Sequence, residues 1–219
     1  MVDSDAGGAA GRAVDRSIAD ARARSAARLT SFVNAARALA EENTSADFTV
    51  QQVVERSGLS LKSFYRLFES KDDLFLAVIE ADSQVGAALL AEMIGAYGDP
   101  VERVRTYVDG LFSFLSADGV LGYVQVLIRE QRRLREVRPD EMQAALEPFV
   151  GMLQDALADA MQAGRIRPGD ARKDAQMIWE LVLADIHAFA LGREARTPNE
   201  LAHYMWEFCW AGLEPRAAK

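Results

Sequence analysis

The 219-residue chain predicts an all-α protein of about nine helices. Three observations carry that expectation. Apolar residues recur at helical spacing through most of the chain, and no stretch of useful length alternates as a strand would. Hydroxyl or acidic residues stand before the apolar segments, where they cap helix N-termini. Gly98-Asp99-Pro100, Asp118-Gly119 and Thr197-Pro198 supply stop and start signals between segments.

Residues 1–20 are rich in Ala, Gly and Asp, lack an apolar stripe, and are expected to form a mobile tail. GGAAG at 7–11 resembles a nucleotide fingerprint only superficially, since no strand precedes it. Leu29, Phe32, Val33, Ala36, Leu39 and Ala40 mark the first helix, with Arg22, Arg24 and Arg28 before or inside its start. Thr49 and Gln52 form a capping box for the second helix, with Phe48 at staple spacing to Val53. Val50, Val53 and Val54 are its core side, and it stops at Ser57-Gly58. Ser60 caps the third helix, expected over 60–68. Ser70 caps the fourth, with Asp73 three residues later and Leu74, Val78, Ala81, Val85, Ala88 and Leu89 along it to about Tyr97. Asp99, Pro100 and Glu102 start the fifth. Further helices are expected at 121–136, 140–163, 170–191 and 198–213, with Pro148 kinking or splitting the 140–163 segment.

Half of the residues are hydrophobic, so a sizeable core is available, and a single Cys209 excludes an intrachain disulfide. No apolar run approaches the roughly 20 residues that span a bilayer, and no basic-then-apolar signal opens the chain. A soluble, cytoplasmic protein without a membrane partner is expected. The net charge is −8, unevenly spread: residues 21–72 hold eight basic and six acidic groups, whereas 73–219 hold fifteen and twenty-three. A small basic module on an acidic body suits local phosphate contact.

The segment Thr49 to Lys71, TVQQVVERSGLSLKSFYRLFESK, holds the chemistry. It reads as two short helices joined by a three-residue turn around Gly58. On a helical wheel Leu61, Phe64 and Phe68 fall on one side, to pack on the first helix. Lys62, Ser63, Tyr65 and Arg66 fall on the other. Such a face suits a major groove, because Arg and Lys donate to guanine edges or phosphates while hydroxyls position the backbone. Taken alone, it is equally a solvated helix side.

The spacing of Thr49, Gly58-Leu59-Ser60, Tyr65 with Phe68, and Ser70-Lys71 before Asp72-Asp73-Leu74 resembles the DNA-binding domain of TetR/AcrR-type transcriptional regulators, over about residues 29–79. The resemblance implies a helix-turn-helix domain over 21–72 and a helical ligand-binding and dimerisation domain over 73–219. It implies phosphate contacts by Thr49, Tyr65 and Lys71, with Ser63 at the family's usual Thr position. Gln51, Lys62 and Arg66 are candidates for base readout. Lys62 replaces a small residue common there, and Arg66-Leu67 replaces an aromatic pair, so operator preference is not transferable.

The resemblance also implies a homodimer on double-stranded operator DNA, joined through helices at about 170–191 and 198–213. Ile178, Trp179, Val182, Ile186 and Phe189, then Leu201, Tyr204, Met205, Phe208 and Leu213, supply apolar surface there, with ordinary core as the competing account. Phe112, Phe114, Tyr123, Met142, Phe149, Met152, Met177 and Trp179 are candidates to line a pocket for a small hydrophobic or aromatic effector; plain core competes again. His187 and His203 lack metal-ligand spacing. Arg129, Arg132, Arg133, Arg135 and Arg138 read as a solvated helix end, and Cys209 as an inert thiol. No catalytic constellation, metal or cofactor is expected. The leading expectation is a ligand-released repressor; the competing one is a helical carrier of hydrophobic ligands without DNA readout.

Overall fold

A computed structural model describes residues 8–116 and 119–215, which form nine α-helices, one 3-10 turn and no strand. The helices are α1 (Ala9–Asn43), α2 (Val50–Ser57), α3 (Leu61–Tyr65), α4 (Lys71–Gly95), α5 (Pro100–Ser113), α6 (Val120–Val137), α7 (Pro139–Gln162), α8 (Ala171–Ala190) and α9 (Pro198–Leu213). The 3-10 turn, Phe114–Ser116, extends α5.

The capping chemistry acts as its residues dictate. Thr49, Ser70 and Thr197 each form a reciprocal capping box with the residue three positions on. Ser60 accepts from the Ser63 N–H, and Asp99 accepts from the Val101 N–H. Gly58 closes α2 at φ 68°, a left-handed conformation that a side chain would strain.

Four expectations are corrected. First, α1 starts at Ala9, so residues 9–20 of the expected mobile tail are helical; residues 1–7 lie outside the described residues. Alanine favours a helix intrinsically, and the side chains of Arg12 to Arg24 are all exposed. Second, α3 ends at Tyr65, and residues 66–68 finish as a turn in which the Leu67 and Phe68 N–H groups donate to the Phe64 carbonyl. Leu61 is 42% exposed rather than packed on α1. Third, of the two outcomes expected at Pro148, a kink or a split, the split does not occur, and α7 continues through it. Fourth, α4 is long and apolar enough to cross a bilayer by length and composition. Its apolar side chains, Leu74, Phe75, Val78, Ile79 and Leu90 among them, are instead buried where it packs on α1, α5, α6 and α7.

A single apolar core runs from Phe32 of α1 to Leu213 of α9. In its N-terminal part, Phe32 meets the rings of Phe64 and Phe68 edge-on at 5.5 and 6.1 Å, and Phe48 stacks on Phe75 at 5.4 Å. The expected division between 72 and 73 falls within the first turn of α4, so the helix-turn-helix unit and the body share that helix. In the body, α7 packs on α8 and α4, and α5 on α9. Tyr107, fully buried on α5, donates to the Phe149 carbonyl of α7 at 3.1 Å. Gly86 of α4 allows α7 close: a Cβ there would lie 2.9 Å from Phe149 Cζ.

Candidate DNA interface and effector cavity

α3 presents Lys62, Tyr65 and Arg66 to solvent, while Phe64 and Phe68 anchor its other side. Tyr65 is 58% exposed, its ring edge-on to Phe64. Ser63 is half-buried, and its Oγ lies 3.0 Å from Ser60 Oγ. On α2, Gln51 is exposed and donates to Glu55 at 3.0 Å. Thr49 is exposed, but its hydroxyl is engaged with Gln52 in the capping box. Arg56 of α2 grips Glu42 of α1 with both terminal nitrogens, which fixes α2 against α1. Thr49, Gln51, Lys62, Tyr65 and Arg66 are therefore each open to solvent.

Lys71 does not. Its ammonium donates to the carbonyls of Ala46 and Phe48 at 2.7 and 3.1 Å and lies over the Phe48 ring at 5.2 Å. The side chain ties α4 to the turn between α1 and α2.

The Arg-rich end of α6 is a set of clasps, not the solvated end expected. Arg133 donates to both carboxylate oxygens of Asp72 at 3.1 and 2.6 Å, and Arg138 pairs with Asp73. Arg135 reaches Glu180 of α8 at 3.1 Å. Arg129 and Arg132 alone in the group are exposed without these ties. The hydrogen bond from Arg133 holds the Asp72 carboxyl below the usual carboxylate range. Two ion pairs thus fix the first turn of α4 to α6 and its junction with α7.

A cavity of about 440 Å³ opens between α4, α6, α7 and α8. Of the expected lining residues, Phe114, Tyr123, Phe149 and Trp179 face it, with Phe149 and Trp179 stacked at 5.1 Å. Met142 faces a second cleft of about 410 Å³ between α7 and α8, which shares Leu146 and Trp179 with the first. Three expectations are corrected: Phe112 is plain core, Met152 only packs against the core, and Met177 is 66% exposed on the outside of α8. Aromatic and Met content signalled a pocket without giving its helix faces. The α4 wall, Ile79, Asp82, Ser83, Val85, Gly86 and Leu89, was missed. Its signal was Asp82 and Ser83, which stand with Glu80 and Gln84 in a polar interruption of the apolar run of α4.

Asp82 is the polar hub of the cavity. Arg37 of α1 donates to it through Nε at 3.0 Å and through Nη2, and the Tyr123 hydroxyl of α6 donates at 2.5 Å. Burial, with the adjacent Asp82 charge, pushes the Tyr123 hydroxyl well above the ordinary phenol range.

The outer faces of α8 and α9 expose Met177, Leu181, Tyr204 and Phe208. Of the residues expected at a dimer surface, Ile178, Trp179, Val182, Leu201, Met205 and Leu213 are buried within the chain, and Ile186 and Phe189 pack against its core. Only Tyr204 and Phe208 of that set face outward. Cys209 is buried, which pushes its thiol up to about 11 and suppresses the reactive thiolate.

Residues 32–78 match the family model described as bacterial regulatory proteins, tetR family. No curated protein matches the chain by sequence. Several solved structures share the fold over most of the chain. FadR from Bacillus subtilis, in complex with stearoyl-CoA, is 20% identical with a TM-score of 0.69, covering 84% of this chain and 98% of its own. A TetR transcription regulator from Haloarcula marismortui is 16% identical at 0.69, covering 86% and 99%. Reduced NemR from E. coli is 15% identical at 0.65, covering 87% and 99%. At these identities the likeness is one of fold. The segment from Phe32 in α1 to Val78 in α4 matches the helix-turn-helix of the tetR family of bacterial regulatory proteins, which supports a ligand-responsive DNA-binding transcriptional regulator.

Proposed function

We propose that the protein is a cytoplasmic, homodimeric, non-enzymatic repressor, released from a pseudo-palindromic operator by a small effector with an apolar body. Residues 21–72 read DNA, and 73–219 bind effector and partner. Lys62 and Arg66, with Gln51, are assigned to base edges; Thr49, Ser63 and Tyr65, with the α4 N-terminus at Lys71, are assigned to phosphates. One observation carries the effector reading: α1 touches both surfaces. Its Phe32 packs on Phe64 of α3, and its Arg37 borders the cavity on Asp82. A molecule entering the cavity therefore meets the helix on which the DNA-reading face rests.

The cavity volume lies within the roughly 300–1,000 Å³ of small-molecule sites and its lining is mostly apolar. The stearoyl-CoA held by Bacillus subtilis FadR, whose fold is similar, also has a long apolar part. Homodimerisation rests on Met177, Leu181, Tyr204 and Phe208, large apolar side chains gathered on α8 and α9. Selection of bound fragments from random duplex DNA tests the reading. The expected product is a two-fold symmetric site with half-sites about 34–36 Å apart. Recovery of no preferred duplex at moderate salt would overturn it.

A further inference from the structure

Asp82 and Arg37 are the two charged residues on the cavity wall, and they are paired with each other. The pair is lopsided. Asp82 is short, fixed on α4, and also held by Tyr123; Arg37 is long, reaches across from α1, and has Asn34 as a second partner at 3.1 Å. Beside them Ser83 is 4% exposed, the buried polar residue of the core, and no hydrogen bond is made by its hydroxyl among the described residues. The stacked rings of Phe149 and Trp179, with Phe114, offer aromatic faces in the same space.

We propose that this cavity recognises a lipophilic cation, an amine or ammonium head on an aromatic or aliphatic body, and that the head takes Asp82 from Arg37. This deepens the effector reading above and rests on it. A positive head replaces one cation by another at Asp82, leaves the Tyr123 hydrogen bond in place, and gains the Ser83 hydroxyl as an acceptor. The displaced guanidinium swings from the cavity rim into water, where it remains solvated. An anionic head would have to take Arg37 instead, leaving Asp82 as a carboxylate with no counter-charge in an apolar cavity, a costly arrangement. The aromatic faces also favour a cation over an anion. The same exchange removes a tie between α1 and the α4–α6 pair, so recognition and release act through one residue. Specificity and signal coincide at Asp82.

The test titrates the full-length protein with phenylbutylammonium, phenylbutanol and phenylbutyrate, following Trp fluorescence and, separately, affinity for the selected operator. The ammonium is expected to bind about tenfold tighter than the alcohol, the ratio of one charge-assisted contact, and to weaken operator binding. Asp82→Asn should collapse the ammonium-to-alcohol ratio towards one. Arg37→Ala removes the competing cation without touching Asp82 and should raise ammonium affinity, which keeps the test decisive if Asp82→Asn does not fold. Tighter binding of phenylbutyrate, lost in Arg37→Ala, would overturn the cation assignment while leaving an effector-responsive regulator intact. Equal binding of all three probes, or none, would overturn it as well. Failure of the effector reading itself shows differently: probes bind, yet operator affinity does not change.

Discussion

Lys71 and Tyr65 carry the same expectation from sequence, contact with a phosphate, yet occupy different surroundings. Tyr65 stands open on α3, and Lys71 is turned inward onto two carbonyls. Substituting them separates the roles. Tyr65→Ala, like Lys62→Ala and Arg66→Ala, should weaken operator binding with little change in thermal midpoint. A lost base contact costs roughly 1–3 kcal/mol and relaxes specificity, whereas a lost phosphate contact lowers the salt dependence. Lys71→Met should instead lower stability by about 1.5–3 kcal/mol, the range for hydrogen bonds to a charged donor. Unaltered denaturant unfolding of Lys71→Met would show the inward contacts to be dispensable. His187 supplies a pH test. Burial, and then the nearby Arg135, lower its pKa from the ordinary value, with Arg132 adding to this and Glu180 opposing it. The folded protein binds the proton less readily than the unfolded chain, so stability is present above about pH 6.5 and falls as pH drops below it. His187→Gln should flatten that part of the stability profile; an unchanged slope would place the titrating group elsewhere.

The helices were legible where the chain supplies its own punctuation. Thr49, Ser70, Asp99 and Thr197 fix their starts through hydrogen bonds to the next residues, and local bonds are visible in sequence. The early part of α1 was not legible, because an apolar stripe marks where a helix packs, whereas alanine marks where one persists without packing. Since Arg12 to Arg24 are exposed, a chain starting at Ser25 should keep its stability within about 0.5 kcal/mol in denaturant unfolding, the usual range for surface changes. A larger loss would mean that this segment packs on a second copy. The α8 and α9 faces show the opposite difficulty. Both helices are apolar on more than one side, so composition could not say that Trp179 and Met205 go inward while Met177 and Phe208 go outward. Replacing Phe208 and Leu181 with Glu buries no charge in the monomer and should shift the protein from dimer to monomer in sedimentation equilibrium. Persistence of the dimer would remove this face from the interface.

Across the molecule, two polar ties connect residues 21–72 to the body, Arg37 to Asp82 and Arg133 to Asp72, and two more, Tyr123 to Asp82 and Arg138 to Asp73, hold α4 to α6 and its junction with α7. None was readable beforehand. The residues of each lie far apart in sequence, and arginines on an exposed helix end look the same whether paired or solvated. Their common geometry is that α6 holds α4 at its first turn and again at Asp82, so the angle at which α3 leaves the body is restrained at two heights. In a dimer joined through α8 and α9, that angle sets the distance between two α3 faces, and duplex DNA accepts only separations close to a whole helical turn. Inserting about five base pairs, half a turn, at the centre of the selected operator should therefore abolish tight binding, because one half-site then faces away. Arg133→Ala, which frees the first turn of α4, should make the protein more tolerant of one- or two-base-pair insertions while weakening the native site. Binding that survives a half-turn insertion unchanged would show that the two heads read DNA independently, and that α6 does not set their spacing.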